Sequence, residues 1–160
     1  MAASRTLGKW MEDLKTAITG SKDKDSAPNL ELTAGRISLG FKSRLPSGQT
    51  SLAKDVRANG PLAVIGPISR AVHEVRRPGS VQSAISIYIE KNKATDWDGL
   101  DIADFLEDVI KRLLTESNYT TNSKLLPGRV TLVGIVYESK AHPGIIAVRL
   151  EIESIPVFLN

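Results

Sequence analysis

Over residues 81–92 the chain alternates strictly, with Val81, Ser83, Ile85, Ile87 and Ile89 on one side and Gln82, Ala84, Ser86, Tyr88 and Glu90 on the other. A period of two is expected of a strand with one buried face. The same period recurs over residues 145–153, where Ile146, Val148, Leu150 and Ile152 alternate with Ala147, Arg149, Glu151 and Glu153. Over residues 36–44 it appears again, Ile37, Leu39 and Phe41 against Ser38, Gly40 and Lys42, with a backward extension through Leu30 and Leu32. Residues 129–138 differ. Val130, Leu132, Val133, Ile135 and Val136 make the run nearly all apolar, which predicts a central strand covered on both faces. Turn-forming residues 139–144 separate it from the 145–153 strand, so the two are expected to pair as a hairpin. The apolar stretch 62–77 is interrupted by Gly66 and Pro67 and is expected to bend or break there.

The period changes to that of a helix in two places. Ile102, Leu106, Val109, Ile110, Leu113 and Leu114 form the stripe of a long helix, with Asp98 as N-cap, Asp101 three residues on, and Trp97 and Ile102 as a hydrophobic staple. Near the N-terminus, Leu7, Trp10, Met11, Leu14 and Ile18 make a shorter stripe among Arg5, Lys9, Glu12, Asp13 and Lys15. The polar, alternately charged run 20–29 reads as a flexible linker, and residues 45–60 as an irregular exposed connection. The expected organisation is an amphipathic tail helix (1–19), a linker (20–29) and a single α+β domain (30–160). That domain has an antiparallel or mixed sheet with the long helix on one face. A helix as short as the first is marginal alone in water and needs a surface to cover it. The candidates are its own domain, another subunit, or a membrane interface where Trp10 sits at headgroup depth and Lys9 and Lys15 reach anionic lipid. Leu7, Lys9, Trp10, Met11, Leu14 and Ile18 are therefore the candidate residues for tail self-association or membrane contact.

Composition narrows the classes. With 160 residues, 41% of them hydrophobic, the chain can build one real core. No apolar run approaches the roughly 20 residues that span a bilayer, and the N-terminus lacks the apolar core of a signal peptide, so a cytosolic protein is expected. The absence of Cys excludes disulfides, thiolate metal sites and cysteine nucleophiles. The net charge of +3 is unevenly spread: residues 1–79 hold 13 Lys/Arg against 7 Asp/Glu, and residues 80–160 hold 8 against 11. Arg36, Lys42, Arg44, Arg70, Arg76 and Arg77, with Lys54 and Arg57, are candidates for a basic surface that meets nucleocapsid, RNA or acidic lipid. Aromatic residues make up only 5% of the chain, so base stacking is weak and salt-sensitive backbone binding is the nucleic-acid mode left open.

Candidate chemistry is sparse. His73 and His142 are too few and too far apart for a metal-ligand motif and read as structural. Six acids between Asp96 and Asp108 lack the ligand spacing of an EF-hand loop and fit the capping of a helix N-terminus. Gly60-Pro61 and Gly66-Pro67 have neither the spacing nor the following Lys-Ser/Thr of a phosphate loop. Asn118-Tyr119-Thr120 matches a glycosylation acceptor in a chain that nothing directs to a secretory compartment. No catalytic residue, cofactor, metal or small-molecule substrate is expected, and the chain reads as a binding and assembly protein rather than an enzyme.

The order of elements carries a resemblance. The run from Ser83 to Glu90, the capped helix after Asp98, the run from Arg129 to Val136 and the stretch from Pro143 to Ile152 together resemble the core of rhabdovirus matrix proteins, over about residues 80–155. No Pro-Pro pair occurs, which fits a plant-infecting member. The resemblance implies a viral structural protein in host cytoplasm and virion. Such a protein self-associates through its tail and bridges ribonucleoprotein to membrane as a peripheral protein, without a transmembrane segment. Two other classes stay open: a sequence-independent RNA-binding coat or silencing-suppressor protein, and a small cellular α+β enzyme whose site the sequence does not display.

Overall fold

The computed structural model describes residues 6–40, 51–74, 77–91, 100–119, 125–137 and 140–156, the backbone alone being described at 6, 7, 67–74, 77–80, 155 and 156. The helices are α1 (Thr6–Ile18), α2 (Leu52–Asn59) and α3 (Leu100–Leu114). Two short strands, β1 (Ser21–Lys22) and β2 (Glu31–Leu32), pair antiparallel with each other. The main sheet contains β3 (Ile37–Leu39), β4 (Leu62–Glu74), β5 (Arg77–Glu90), β6 (Leu125–Val136) and β7 (Ile145–Pro156) in the order β3-β4-β5-β7-β6. All neighbours are antiparallel except β3, which runs parallel to β4. The protein is therefore of the α+β class with a mixed sheet, and β6 and β7 form the expected hairpin.

The alternation along the strands decides which face carries the core. Ile85, Ile87 and Ile89 on β5 and Ile146, Val148, Leu150 and Ile152 on β7 are buried together with Ala63 and Ile65 of β4. Onto this face pack Trp10, Met11, Leu14 and Ile18 of α1 and Ile102, Phe105, Leu106, Val109 and Leu113 of α3. Each such aliphatic side chain contributes about 1.5–3 kcal/mol on burial. On the other face α2 covers only one end of the sheet, where Ala53 and Val56 meet Leu62 and Ile145, flanked by Val64 and Tyr88.

The break expected at Gly66 and Pro67 is a register shift between Ile65 and Ile68 within one continuous β4. A Cβ on Gly66 would lie 3.3 Å from the carbonyl oxygen of Ala84, a tight contact that would push the bulged strand and β5 apart by a few tenths of an ångström, so glycine suits this close approach.

Three expectations are corrected. Residues 52–59, read as irregular connection, form α2: the Ser51 hydroxyl accepts from the Lys54 amide at the start, and Gly60, at φ 92°, terminates it. Polar residues 20–29 are not a loose linker. β1 and β2 close them into a loop in which Asp23 Oδ1 accepts the Leu30 amide at 3.0 Å. The loop is also tied to α3, because the Lys22 amide donates to Asp108 Oδ2 at 2.9 Å and Asn29 Nδ2 to Asp101 Oδ2 at 3.1 Å. Finally, among the described strands β6 lies at the edge of the sheet and not at its centre.

Asp101, in the first turn of α3, is buried and holds its carboxyl below the ordinary value of 3.8, chiefly through the Asn29 hydrogen bond and then Lys24, whose ammonium is 3.2 Å away; burial opposes both. A depressed carboxyl contributes stability that is present above its unfolded value and lost as pH falls through the folded one. Asp101→Asn is therefore expected to flatten the acid limb of the stability curve below about pH 4, read from urea midpoints between pH 2 and 5.

Candidate interaction surface

The charged residues that sequence reasoning placed on a surface divide into those the fold uses internally and those that remain outside. Arg36 belongs to the first group. Its guanidinium forms a bidentate pair with Asp55, Nη1 to Oδ1 at 3.0 Å and Nη2 to Oδ2 at 2.8 Å, and also donates to the Gly60 and Pro61 carbonyls. Both side chains are buried, so Arg36 joins α2 to the chain entering β3 and takes no part in a basic surface. This corrects the expectation. Lys42, Arg44 and Arg76 lie outside the described residues, and Arg70 and Arg77 are placed by backbone only, in β4 and β5.

The tail residues are corrected as well. Trp10, Met11, Leu14 and Ile18 are buried in the main core. Trp10 stacks on Tyr119 with ring centroids 5.3 Å apart, and its indole Nε1 donates to Ser83 Oγ on β5 at 3.2 Å. Burial, with the Asp13 carboxylate as a second cause, pushes the Tyr119 phenol upward, and its hydroxyl donates to the Leu113 carbonyl. Among the possible covers for the α1 stripe, the domain itself is the one used. Lys9 is exposed and paired with Glu12 at 3.2 Å, while the Leu7 side chain is outside the described residues. None of the four buried residues is available to lipid or to another subunit while α1 stays docked.

His142 and Arg57 make their contacts within the fold. His142 stands edge-on to Tyr88 with centroids 5.9 Å apart, and Arg57 of α2 donates to the Pro143 carbonyl at 2.6 Å, holding α2 against the β6–β7 turn. The His73 side chain and the candidate cap and staple residues Asp98 and Trp97 lie outside the description. Among the described residues no group of His, Asp and Glu is arranged to hold a metal ion, and no helix is long and apolar enough to cross a membrane.

What the fold leaves exposed is the far half of β6. α3 packs over the beginning of the strand, where Leu125 and Pro127 are buried and Leu126 and Val130 half-buried. Beyond this Ile135 is still half-buried against the core, but Leu132 is 45% exposed, Val133 50%, Val136 50% and Tyr137, just after the strand, 61%. Leu132 stands opposite Leu150 and Val136 opposite Ala147 across a register shift, so apolar side chains are open on both faces of the sheet. No described strand pairs with the outer edge of β6. Residues 130–137 carry no charge at all, whereas the next strand inward carries Arg149, paired with Glu151 at 3.4 Å, and Glu153, which Arg129 reaches at 3.6 Å. Exposed edges are ordinarily blunted by charge or covered. Sequence reasoning had singled out this apolar run but assigned its burial to the wrong place, because apolar character on both faces is the signal of a strand covered on both sides, whatever covers it.

Comparison with protein-family models and with curated proteins finds no match.

Proposed function

We propose that this chain is a non-enzymatic structural protein that works by self-association, a matrix-type assembly protein bridging ribonucleoprotein to membrane in a virion. The observation that carries the reading is the uncharged, doubly exposed end of β6. A monomer leaves such a strand in water at a cost and with a risk of promiscuous pairing, and a protein whose task is assembly uses it. The order of elements over residues 80–155, similar to that of rhabdovirus matrix proteins, supports the same reading. So does the excess of Lys and Arg in residues 1–79, the sign that both RNA phosphates and anionic headgroups attract. Bridging then belongs to the basic half and self-association to β6, with α1 kept as part of the core.

Flotation of the full chain with phosphatidylserine-containing vesicles and single-stranded RNA tests the bridging. The protein is expected to carry RNA to the vesicle fraction at moderate salt and to release it as salt rises. Tight binding of RNA without vesicles would move the reading to a coat or silencing-suppressor protein, and binding to neither would end it.

A further inference from the structure

We infer that the occupant of the β6 edge is a second copy of this chain, paired antiparallel through residues 130–137 about a two-fold axis, so that two five-stranded sheets continue into one. The inference rests on the assembly reading and names its partner. Four features select a copy of the chain over an unrelated strand.

The first is the mismatch between pattern and exposure. The β6 run has the composition of a strand covered on both sides, while the described residues cover its beginning and, farther on, only part of Ile135. A neighbouring strand on the outer edge pairs the free backbone groups and flanks the exposed apolar side chains on each face with its own. The second is charge. With no residue from 130 to 137 charged at neutral pH, a copy meets no like-charge opposition. In the sequence the run is bracketed by Arg129 and by Glu138, the latter outside the described residues. Antiparallel pairing of the run with itself brings the basic end of each strand towards the acidic end of the other, whereas parallel pairing brings like charges together.

The third feature is closure. The opposite edge of the described sheet consists of the three residues of β3 and, beyond Ile65, of β4 without a described partner on that side. That stretch of β4 carries Pro67, Arg70 and Glu74, which blunt an edge, so among the described residues the long uncharged edge is that of β6. Pairing of that edge with itself is isologous and stops at two copies. The fourth is size. Leu132, Val133, Val136 and Tyr137 leave on the order of 300 Å² of largely apolar surface exposed per copy, the size of the largest patch on an ordinary monomer and often a functional one. A standard stable interface covers about 800 Å² per partner. The register shift between Leu132 and Gly134 also interrupts the ladder. Together these place the pair among small, reversible interfaces, with a dissociation constant on the order of micromolar.

The absence of cysteine from the chain makes the test clean. Single cysteines are placed in turn at Thr131, Leu132, Val133, Gly134, Ile135 and Val136, with Glu107→Cys on the exposed side of α3 as control, and disulfide formation is followed under mild oxidation. Gly134 has open space where a Cβ would go. In an antiparallel pair, each step away from the axis separates the two copies of a position by about 7 Å, and a disulfide spans no more than about 7 Å between Cα atoms. Cross-linking is therefore expected to peak sharply at one or two positions, at least about tenfold faster than the control. A flat profile in a protein that still self-associates would overturn strand pairing while leaving the assembly reading intact. Absence of cross-linking in a protein that stays a single chain by mass, yet still bridges RNA to vesicles, would overturn the second copy as occupant. Loss of self-association and bridging together would overturn both.

Discussion

Replacing Trp10 by alanine is expected to destabilise the protein by about 3–5 kcal/mol, the range for removing a large aromatic side chain from a core. The indole is fully buried, stacked on Tyr119 and hydrogen-bonded to Ser83, which is itself buried and is left without that donor. A domain of this size has about 5–15 kcal/mol of stability in all, so the loss is a large share of it and is read directly as a shift of the urea midpoint. Trp10→Phe keeps a ring against Tyr119 and gives up the N–H, for an expected cost of about 1–3 kcal/mol. A detachable tail would respond quite differently: its tryptophan could be removed with almost no effect on the midpoint. For the same reason, deleting residues 1–20 is expected to unfold the domain rather than release a trimmed body.

The second large effect concerns the ion pair between Arg36 and Asp55. Asp55→Ala leaves a buried guanidinium with two carbonyl partners and no counter-charge, and an expected loss of about 3–5 kcal/mol. Replacing both residues together, as Arg36→Met with Asp55→Leu, is expected to cost much less than the sum of the single changes, since charge desolvation disappears with the charges. A double-mutant cycle on urea midpoints gives the coupling. Additive single changes would mean that the two groups do not stabilise each other, contrary to their bidentate geometry.

Local periodicity was sufficient for elements whose burial is decided by their immediate neighbours. The alternations along β5 and β7 mark buried positions, and the β6–β7 hairpin follows from the intervening turn. The stripe of α3 marks them at Ile102, Leu106, Val109 and Leu113 but not at Leu114, which is exposed, and it omits the buried Phe105. Partnerships between distant residues were not legible. The acids near the start of α3 and the polar run 20–29 each looked unattached, and the fold joins them, Asp108 to the Lys22 amide and Asp101 to Lys24 and Asn29. Arg36 looked like a surface cation because its carboxylate lies on α2, an element hidden by polar residues such as Lys54, Asp55, Arg57 and Asn59. Its two ends did carry a signal, Ser51 as a cap and Gly60 as a stop. α1 was legible as an amphipathic helix, but a hydrophobic stripe does not specify which surface covers it. The same ambiguity, turned outward, applies to β6: its composition called for cover on both faces, and the single chain supplies only part of it.

The most direct test of the account is the mass of the full chain by light scattering over a concentration series, for the natural sequence and for Val133→Lys. Val133 is half exposed on the open end of the strand, so the substitution is expected to leave the urea midpoint within about 0.5 kcal/mol while placing like charges together in a pair of copies. The account predicts that the natural chain rises from one copy towards two over the micromolar range and that the variant remains one. A natural chain that stays single throughout, or a variant that associates as readily as the natural one, would contradict it.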